Sequence, residues 1–397
     1  MERDALPIDQ RRFHDAVKAI RRRPVSGPFI VLMNSSPDLA ARFAHLGHYF
    51  HSRGQADESV LSMRVRGFAS LIGSRALNAP YEWAAWVNWA LEAGVPQATV
   101  DAIREGRPPQ NLTAEEALIT DFCMQLISGN HRVNANTFKA ALAHFGAQGL
   151  VELVVTLGYF AMIALPLNAF EIGLSGEQQK LRKPFAPLEI TGTPWTGAAA
   201  PRTNLPPISA AVTASPRLPL LSAHDDVAPE HQHFLDRIVL TRGWISGVFQ
   251  VLLHSPDAAA RIAHIGAFFL YETVLPAKIR TLTWLIAARE LDCNYVWQSS
   301  VSAARTAGVG AGLIAALEDD RAPAGAAPAE KLLFEYCRQL LRDNHHVGDT
   351  TYQAMIVEFG TAATVQIAAT IGYIVMLGLV ANAFDIAPPP DDQRPAL

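Results

Sequence analysis

The stretch "NAPYEWAAWVNWALEAGV", residues 78 to 95, sets Tyr81, Glu82 and Trp83 where a helix would begin. A carboxyl there can take or give a proton if it is partly buried, because desolvation penalises its charged form and raises its pKa towards neutrality. Trp83 and Trp86 lie three apart, on one helical face, and can supply that apolar surrounding. The Tyr81 phenol can donate a hydrogen bond to an oxyanion such as an enolate. Each residue also has a plain structural alternative. Glu82 can be a charged residue favoured by the helix dipole, the tyrosine a core aromatic with its hydroxyl tied to backbone, and the tryptophans packing groups.

The elements that must position these residues occur twice. "SGPFIVLMNSSPDLAARFAHLG" returns as "SGVFQVLLHSPDAAARIAHIG", and "FCMQLISGNHRVNANTF" as "YCRQLLRDNHHVGDTTY". "LGYFAMIALPLNAFEI" returns as "IGYIVMLGLVANAFDI", and Tyr81 to Tyr295, Asn130 to Asn344 and Asn168 to Asn382 each differ by 214. The sequence thus reads as two tandem helical repeats. A first domain spans residues 1–173 and a second 222–397, with a Pro/Ala/Thr-rich linker, expected to be extended and surface-lying, over 174–221. Ser36 before Pro37 predicts an N-cap, Thr113 with Glu116 predicts a capping box, and alternating strand patterns are scarce, so the fold is expected to be all-α with six to eight helices per repeat.

Composition narrows the function class. The 397 residues are 50% hydrophobic with a net charge of −4, which gives no electrostatic reason to expect nucleic acid or an anionic membrane as partner. Three widely spaced cysteines, Cys123, Cys293 and Cys337, suit neither a disulfide framework nor a C-x-x-C site, and fit a reducing, cytoplasmic setting. The N-terminus lacks an apolar signal core. Residues 365–384 are apolar enough to span a bilayer, but lack flanking basic and aromatic anchors and read as a buried helix.

The order of "YEW" at 81–83, "ALEAGV", "HRVN" at 131–134 and "LGYFAMIALPLNAFEI" resembles the carboxymuconolactone decarboxylase family, within the alkylhydroperoxidase D-like group. The resemblance implies two fused alkylhydroperoxidase D-like helical repeats and homo-oligomers, here possible as a trimer of fused repeats. It also implies sites between helices near subunit contacts. The dithiol of the peroxidase branch is missing, so a dithiol peroxidase is not expected. The decarboxylase branch carries a His where Trp86 and Ser300 stand, an earlier Glu near Gly67 and Thr281, and the motif Glu at Glu82, which becomes Val296 in the second repeat.

Other paired positions are candidates for substrate contact: Tyr295 and Trp297, matching Tyr81 and Trp83; His131 with His345, in a turn-like setting; and Glu58 with Glu272, at a pocket mouth or as helix caps. Arg66 with Arg280 and Arg75 with Arg289 can clamp a carboxylate or tie helices. No histidine pair has the i, i+4 spacing of a metal site. The expectation is an enzyme without metal or organic cofactor, of lyase, decarboxylase or isomerase type. It would act on a hydrophobic unsaturated or aromatic carbonyl compound, with Glu82 moving the proton, Tyr81 holding the oxygen, and Trp83 and Trp86 shaping the pocket. Two alternatives stand beside it: a cyclase that works mainly by ordering its substrate, and a non-catalytic binding or structural relic.

Overall fold

The computed structural model describes residues 3–51, 59–174, 208, 215–342 and 344–388. Among these residues the secondary structure is helical, without strands. The first eight α-helices are α1 (Arg11–Arg21), α2 (Pro28–Ser35), α3 (Pro37–His51), α4 (Met63–Ala76), α5 (Pro80–Glu92), α6 (Gln97–Arg104), α7 (Ala114–Ile127) and α8 (Ala135–Ala169). The next eight are α9 (Gln232–Arg242), α10 (Gly247–Leu252), α11 (Pro256–Ala267), α12 (Ala277–Glu290), α13 (Asn294–Thr306), α14 (Ala311–Glu318), α15 (Pro328–Leu341) and α16 (Asp349–Ala383). The two series run in the same order, and their longest members, α8 and α16, have 35 residues each.

Both long helices are broken at a glycine with non-helical backbone, Gly146 (φ 67°) and Gly360 (φ 79°). Such positive φ suits glycine, which has no Cβ to clash. Beyond the break each helix is apolar enough to cross a membrane, yet these windows are buried in the protein, which fits a soluble protein. They bury one another. A Cβ on Gly158 would lie 2.6 Å from Met376, and one on Gly372 would lie 2.7 Å from Met162, so the two helices cross at a pair of reciprocal glycine notches. The core is built around this crossing.

Reciprocity extends to polar contacts between the halves. Arg42 Nη1 donates to the His264 carbonyl at 2.8 Å, and Arg261 Nη1 to the His45 carbonyl at 2.6 Å. Ser255 donates to Glu152 Oε1 at 3.1 Å, while Gln366 Nε2 donates to Ser36 Oγ at 2.7 Å. The expected cap at Ser36 is therefore only half realised. Its carbonyl starts α3 by accepting from Ala40 N–H at 3.0 Å, but its hydroxyl serves the other half. The Thr113–Glu116 capping box forms as expected.

Most of the linker lies outside the described residues. Its last part runs along the surface, with Ser215, Pro216, Pro219 and Leu220 exposed, but is anchored there: Leu218 is buried, Arg217 donates to the Val133 carbonyl at 2.7 Å and pairs with Asp385, and Leu221 N–H reaches the Gln250 carbonyl. Residues 215–221 thus strap one series to the other, because the backbone N–H groups of Arg217 and Leu221 bond the Phe384 and Gln250 carbonyls while the Arg217 side chain reaches Val133.

Candidate functional site

Helices α4 and α5 form a hairpin whose turn sets the candidate carboxyl. Asn78 takes the left-handed conformation (φ 50°), which asparagine tolerates, and Pro80 occupies the first position of α5, where its missing N–H costs nothing. Glu82 therefore falls in the first turn of α5 and points inward, 5% exposed. Its side chain lines a cavity of about 840 Å³ bounded by α1, α2, α3, α5 and α8.

Burial raises the Glu82 pKa to about 7. The Trp86 indole, which donates to Oε2 at 3.3 Å, and the nearby Arg21 and Arg23 cations act in the opposite direction and limit the rise. The result is a carboxyl poised between its two protonation states at neutral pH, as a proton-transfer group requires.

Other walls of the cavity come from distant parts of the chain. Arg21, at the end of α1, stacks over the Phe29 ring at 4.2 Å and leaves its enclosed Nη1 without a hydrogen-bond partner. His51, at the end of α3, packs its ring on Trp86 (centroids 4.6 Å apart) and edge-on to Tyr159 (5.5 Å). Its Nε2 is enclosed and unpartnered. Desolvation, then Arg23 and Arg21, push its pKa well below the ordinary value, so this imidazole is neutral at pH 7. Tyr159 lies with its hydroxyl against Gly47, where a Cβ would come within 2.2 Å of it. The place where the resemblance leads one to expect a histidine holds Trp86, but an imidazole reaches the same cavity from α3.

Tyr81 also lines the cavity. Its hydroxyl bonds Ser26 and sits over Gly27, where an added Cβ would lie 2.3 Å away. Tyr295 repeats this arrangement with Ser246, and accepts from Val248 N–H at 3.4 Å. Both phenols are thus tied to the start of the helix opposite. Trp83 and Trp297 are among the largest fully buried side chains and belong to the core rather than to a cavity wall.

The remaining candidates are elsewhere. His131 and His345 have left-handed backbone (φ 56° each), and their Nδ1 atoms lie 3.1 Å from the carbonyls of Leu126 and Leu340. They meet at a void of about 30 Å³ between the halves, away from Glu82, so they close turns rather than contact substrate there. Glu272 accepts from Arg42 at 2.7 Å and ties α3 to the other half instead of guarding a pocket mouth. Glu58 lies outside the described residues. Arg66 of α4 donates to the Phe50 carbonyl in the last turn of α3, and Arg280 of α12 to the Leu270 carbonyl, at 2.7 Å each, which is the structural role.

Among the described residues, the second series has a small counterpart of this cavity. Leu270 stands where α3 has His51, Ala267 where it has His48, Val296 for Glu82 and Trp284 for Ser70. The corresponding space shrinks to about 60 Å³. Sequence reading missed Arg21, His51 and Tyr159 as cavity residues. The available signal was this contrast, since His48 and His51 are polar at positions that the second series fills with apolar side chains. Compared with known protein families, curated proteins and solved structures, the chain matches none.

Proposed function

We propose that the cavity in the first half is the active site of a cofactor-independent proton-transfer enzyme. The observation that carries this reading is a buried carboxyl with a pKa of about 7 on the wall of an 840 Å³ cavity. Its substrate is an unsaturated or aromatic carbonyl compound, seated against Trp86, Trp89 and Phe29, which supply a flat apolar surface.

In the reaction, ionised Glu82 takes the proton from carbon next to the carbonyl, and the C–H electron pair moves into the carbonyl to give an enolate. Arg21 and Arg23 favour that negative charge, and the Tyr81 hydroxyl, oriented by Ser26, donates to the enolate oxygen. Return of the proton from Glu82 to a different carbon completes an isomerisation. In a lyase variant, a carboxylate β to the carbonyl is lost as carbon dioxide, the C–C bonding pair stays behind and forms the enolate, and Glu82, protonated from solvent before the step, supplies the proton to carbon.

The reading also treats the chain as two fused copies of one carboxymuconolactone decarboxylase-like subunit, the second kept as a scaffold. The matching helix order and the reciprocal contacts of α8 with α16 support it. The two halves then satisfy within one chain contacts that separate subunits would otherwise make, and further assembly would join such chains.

The test is deuterium incorporation. Incubation of the protein in heavy water with a panel of unsaturated and aromatic carbonyl acids should give enzyme-dependent exchange, falling by at least about a hundred-fold in Glu82→Gln. Exchange that persists at full rate in that variant would remove Glu82 from the chemistry and favour the substrate-ordering cyclase.

A further inference from the structure

The chemistry proposed for Glu82 leaves the imidazole of His51 unused. This ring, at the end of α3, is partly buried and lines the same large cavity as Glu82 and Trp86. It packs on the Trp86 indole with centroids 4.6 Å apart, while the N–H of that indole donates to Glu82. Carboxyl and imidazole therefore flank one rigid ring without pairing with each other. Nε2 of His51 is enclosed, and among the described residues the imidazole takes part in no hydrogen bond or ion pair. Nδ1 is thus the ring nitrogen open to whatever enters the cavity.

The second half shows that the fold does not require an imidazole here. Gly266 lies against the Tyr373 hydroxyl as Gly47 lies against that of Tyr159, and Leu270 follows Gly266 at the same interval as His51 follows Gly47. A leucine therefore closes this helix end as well. It comes with Val296 in place of Glu82 and with a cavity of only about 60 Å³. Imidazole and carboxyl are kept together where the space is large and replaced together where it is small.

Burial, reinforced by Arg23 and Arg21, keeps the ring neutral, so it carries one N–H donor and one lone pair but no charge. A neutral imidazole is too weak an acid to hand a proton to carbon, which leaves recognition as its task. A ligand that displaces water from such a nitrogen has to replace that hydrogen bond or lose affinity. Resting on the reading of Glu82 as the proton carrier, we propose that His51 is a substrate-binding residue that hydrogen-bonds a second oxygen of the substrate, separate from the oxygen held by Tyr81. The substrate class narrows to unsaturated or aromatic carbonyl compounds that bear a further uncharged oxygen, a hydroxyl or a second carbonyl.

The test is calorimetric binding of a matched series to the full chain: benzalacetone and its ortho-, meta- and para-hydroxyl derivatives. At least one derivative should bind about ten-fold more tightly than the unsubstituted ketone, the value of one net hydrogen bond. His51→Leu, the exchange already present between the two halves, should erase that gain while still binding the unsubstituted ketone. If this variant does not fold, nitrogen NMR of the histidine-labelled parent reads the same contact, since one imidazole signal should shift with the hydroxylated ketone and stay in place with the unsubstituted one. A gain that survives His51→Leu, a series without gain or without binding, or imidazole signals indifferent to the hydroxyl would overturn the proposal. Its failure is separable from that of the proton-transfer reading, because deuterium exchange and its loss in Glu82→Gln are measured independently of the hydroxyl preference.

Discussion

The indole N–H of Trp86 donates to Oε2 of Glu82 at 3.3 Å, while the face of the same ring packs on His51. One side chain therefore both dries the carboxyl and partly restrains its rise in pKa. It fills the position at which a histidine is expected from the family resemblance, without filling the cavity, since about 840 Å³ remains beside it. Trp86 is thus a wall and not a plug.

Removing only the N–H separates those two effects. Trp86→Phe keeps an aromatic wall but takes away the hydrogen bond that favours the ionised carboxyl. The Glu82 midpoint should move above 7 by about one unit. Infrared difference titration of the carboxyl, or carbon NMR of labelled glutamate, reads it directly. A midpoint that stays fixed or falls would mean that the indole does not contact the ionised form.

The raised pKa also fixes how stability depends on pH. Folding raises the Glu82 pKa from 4.5 to about 7. Between those values the folded chain keeps a proton that the unfolded chain has lost, so this group makes stability fall as pH rises from about 4.5 to 7, and the full penalty stands above 7. The penalty reaches up to about 3 kcal/mol. Glu82→Gln should therefore be more stable than the parent at pH 8, with the gap closing towards pH 4.5. Thermal unfolding of both proteins across that range measures it, and parallel curves would show that the carboxyl titrates normally.

How much of this was legible in the sequence differs by residue. The helix start ahead of Tyr81 and the apolar face of Trp86 follow from local spacing, and the helical class from the scarcity of alternating patterns, whereas spacing alone leaves Glu82 either buried or charged at the helix start. Arg21, His51 and Tyr159 were out of reach of local reasoning, because α1, α3 and α8 are brought to α5 only by tertiary packing. The same limit misplaced Trp83, Trp297 and Glu272. A matched pair of tryptophans serves a core as well as a pocket, and Glu272 finds its partner, Arg42, 230 positions away in the chain. His131 and His345 matched for a similar reason, since both turns need a left-handed residue and a ring nitrogen beside the preceding helix end.

The glycine crossing of α8 and α16 makes an asymmetric forecast. A methyl on Gly372 would press on three backbone atoms of Met162, the nearest its Cα at 2.7 Å, whereas one on Gly158 first meets the flexible Cγ of Met376 at 2.6 Å and only one backbone atom, the Met376 Cα at 2.9 Å. Side chains can turn aside and backbone within a packed helix cannot. Gly372→Ala should cost more than Gly158→Ala, with both in the range of about 1 to 3 kcal/mol seen for overpacked cores. Denaturant unfolding of the two variants checks the order, and a reversed order would mean that the crossing yields as a rigid body.

Glu152 and Gln366 occupy matching places and receive matching partners. Glu152 accepts from Tyr49 at 2.7 Å, Ser59 at 2.5 Å, Val60 N–H at 2.8 Å and Ser255 at 3.1 Å. Gln366 Oε1 accepts from Thr273 at 2.6 Å and Val274 N–H at 2.9 Å, and its amide nitrogen donates to Ser36. The second half thus shows that an amide satisfies this junction: one oxygen takes the loop, and the nitrogen takes the serine from the opposite half. Glu152→Gln should then change stability by less than about 1 kcal/mol, because Ser255 and Tyr49 have hydroxyls that can turn from donor to acceptor. Glu152→Leu has no such escape. It removes the acceptor of the Val60 N–H and the Ser59 hydroxyl at a partly exposed loop, while Tyr49 and Ser255 keep their 3.0 Å contact with each other, and should cost about 1 to 3 kcal/mol, the range for a buried polar group that loses its partner. If the glutamine variant proved as damaging as the leucine one, the negative charge itself, rather than the set of acceptors, would be what this junction requires.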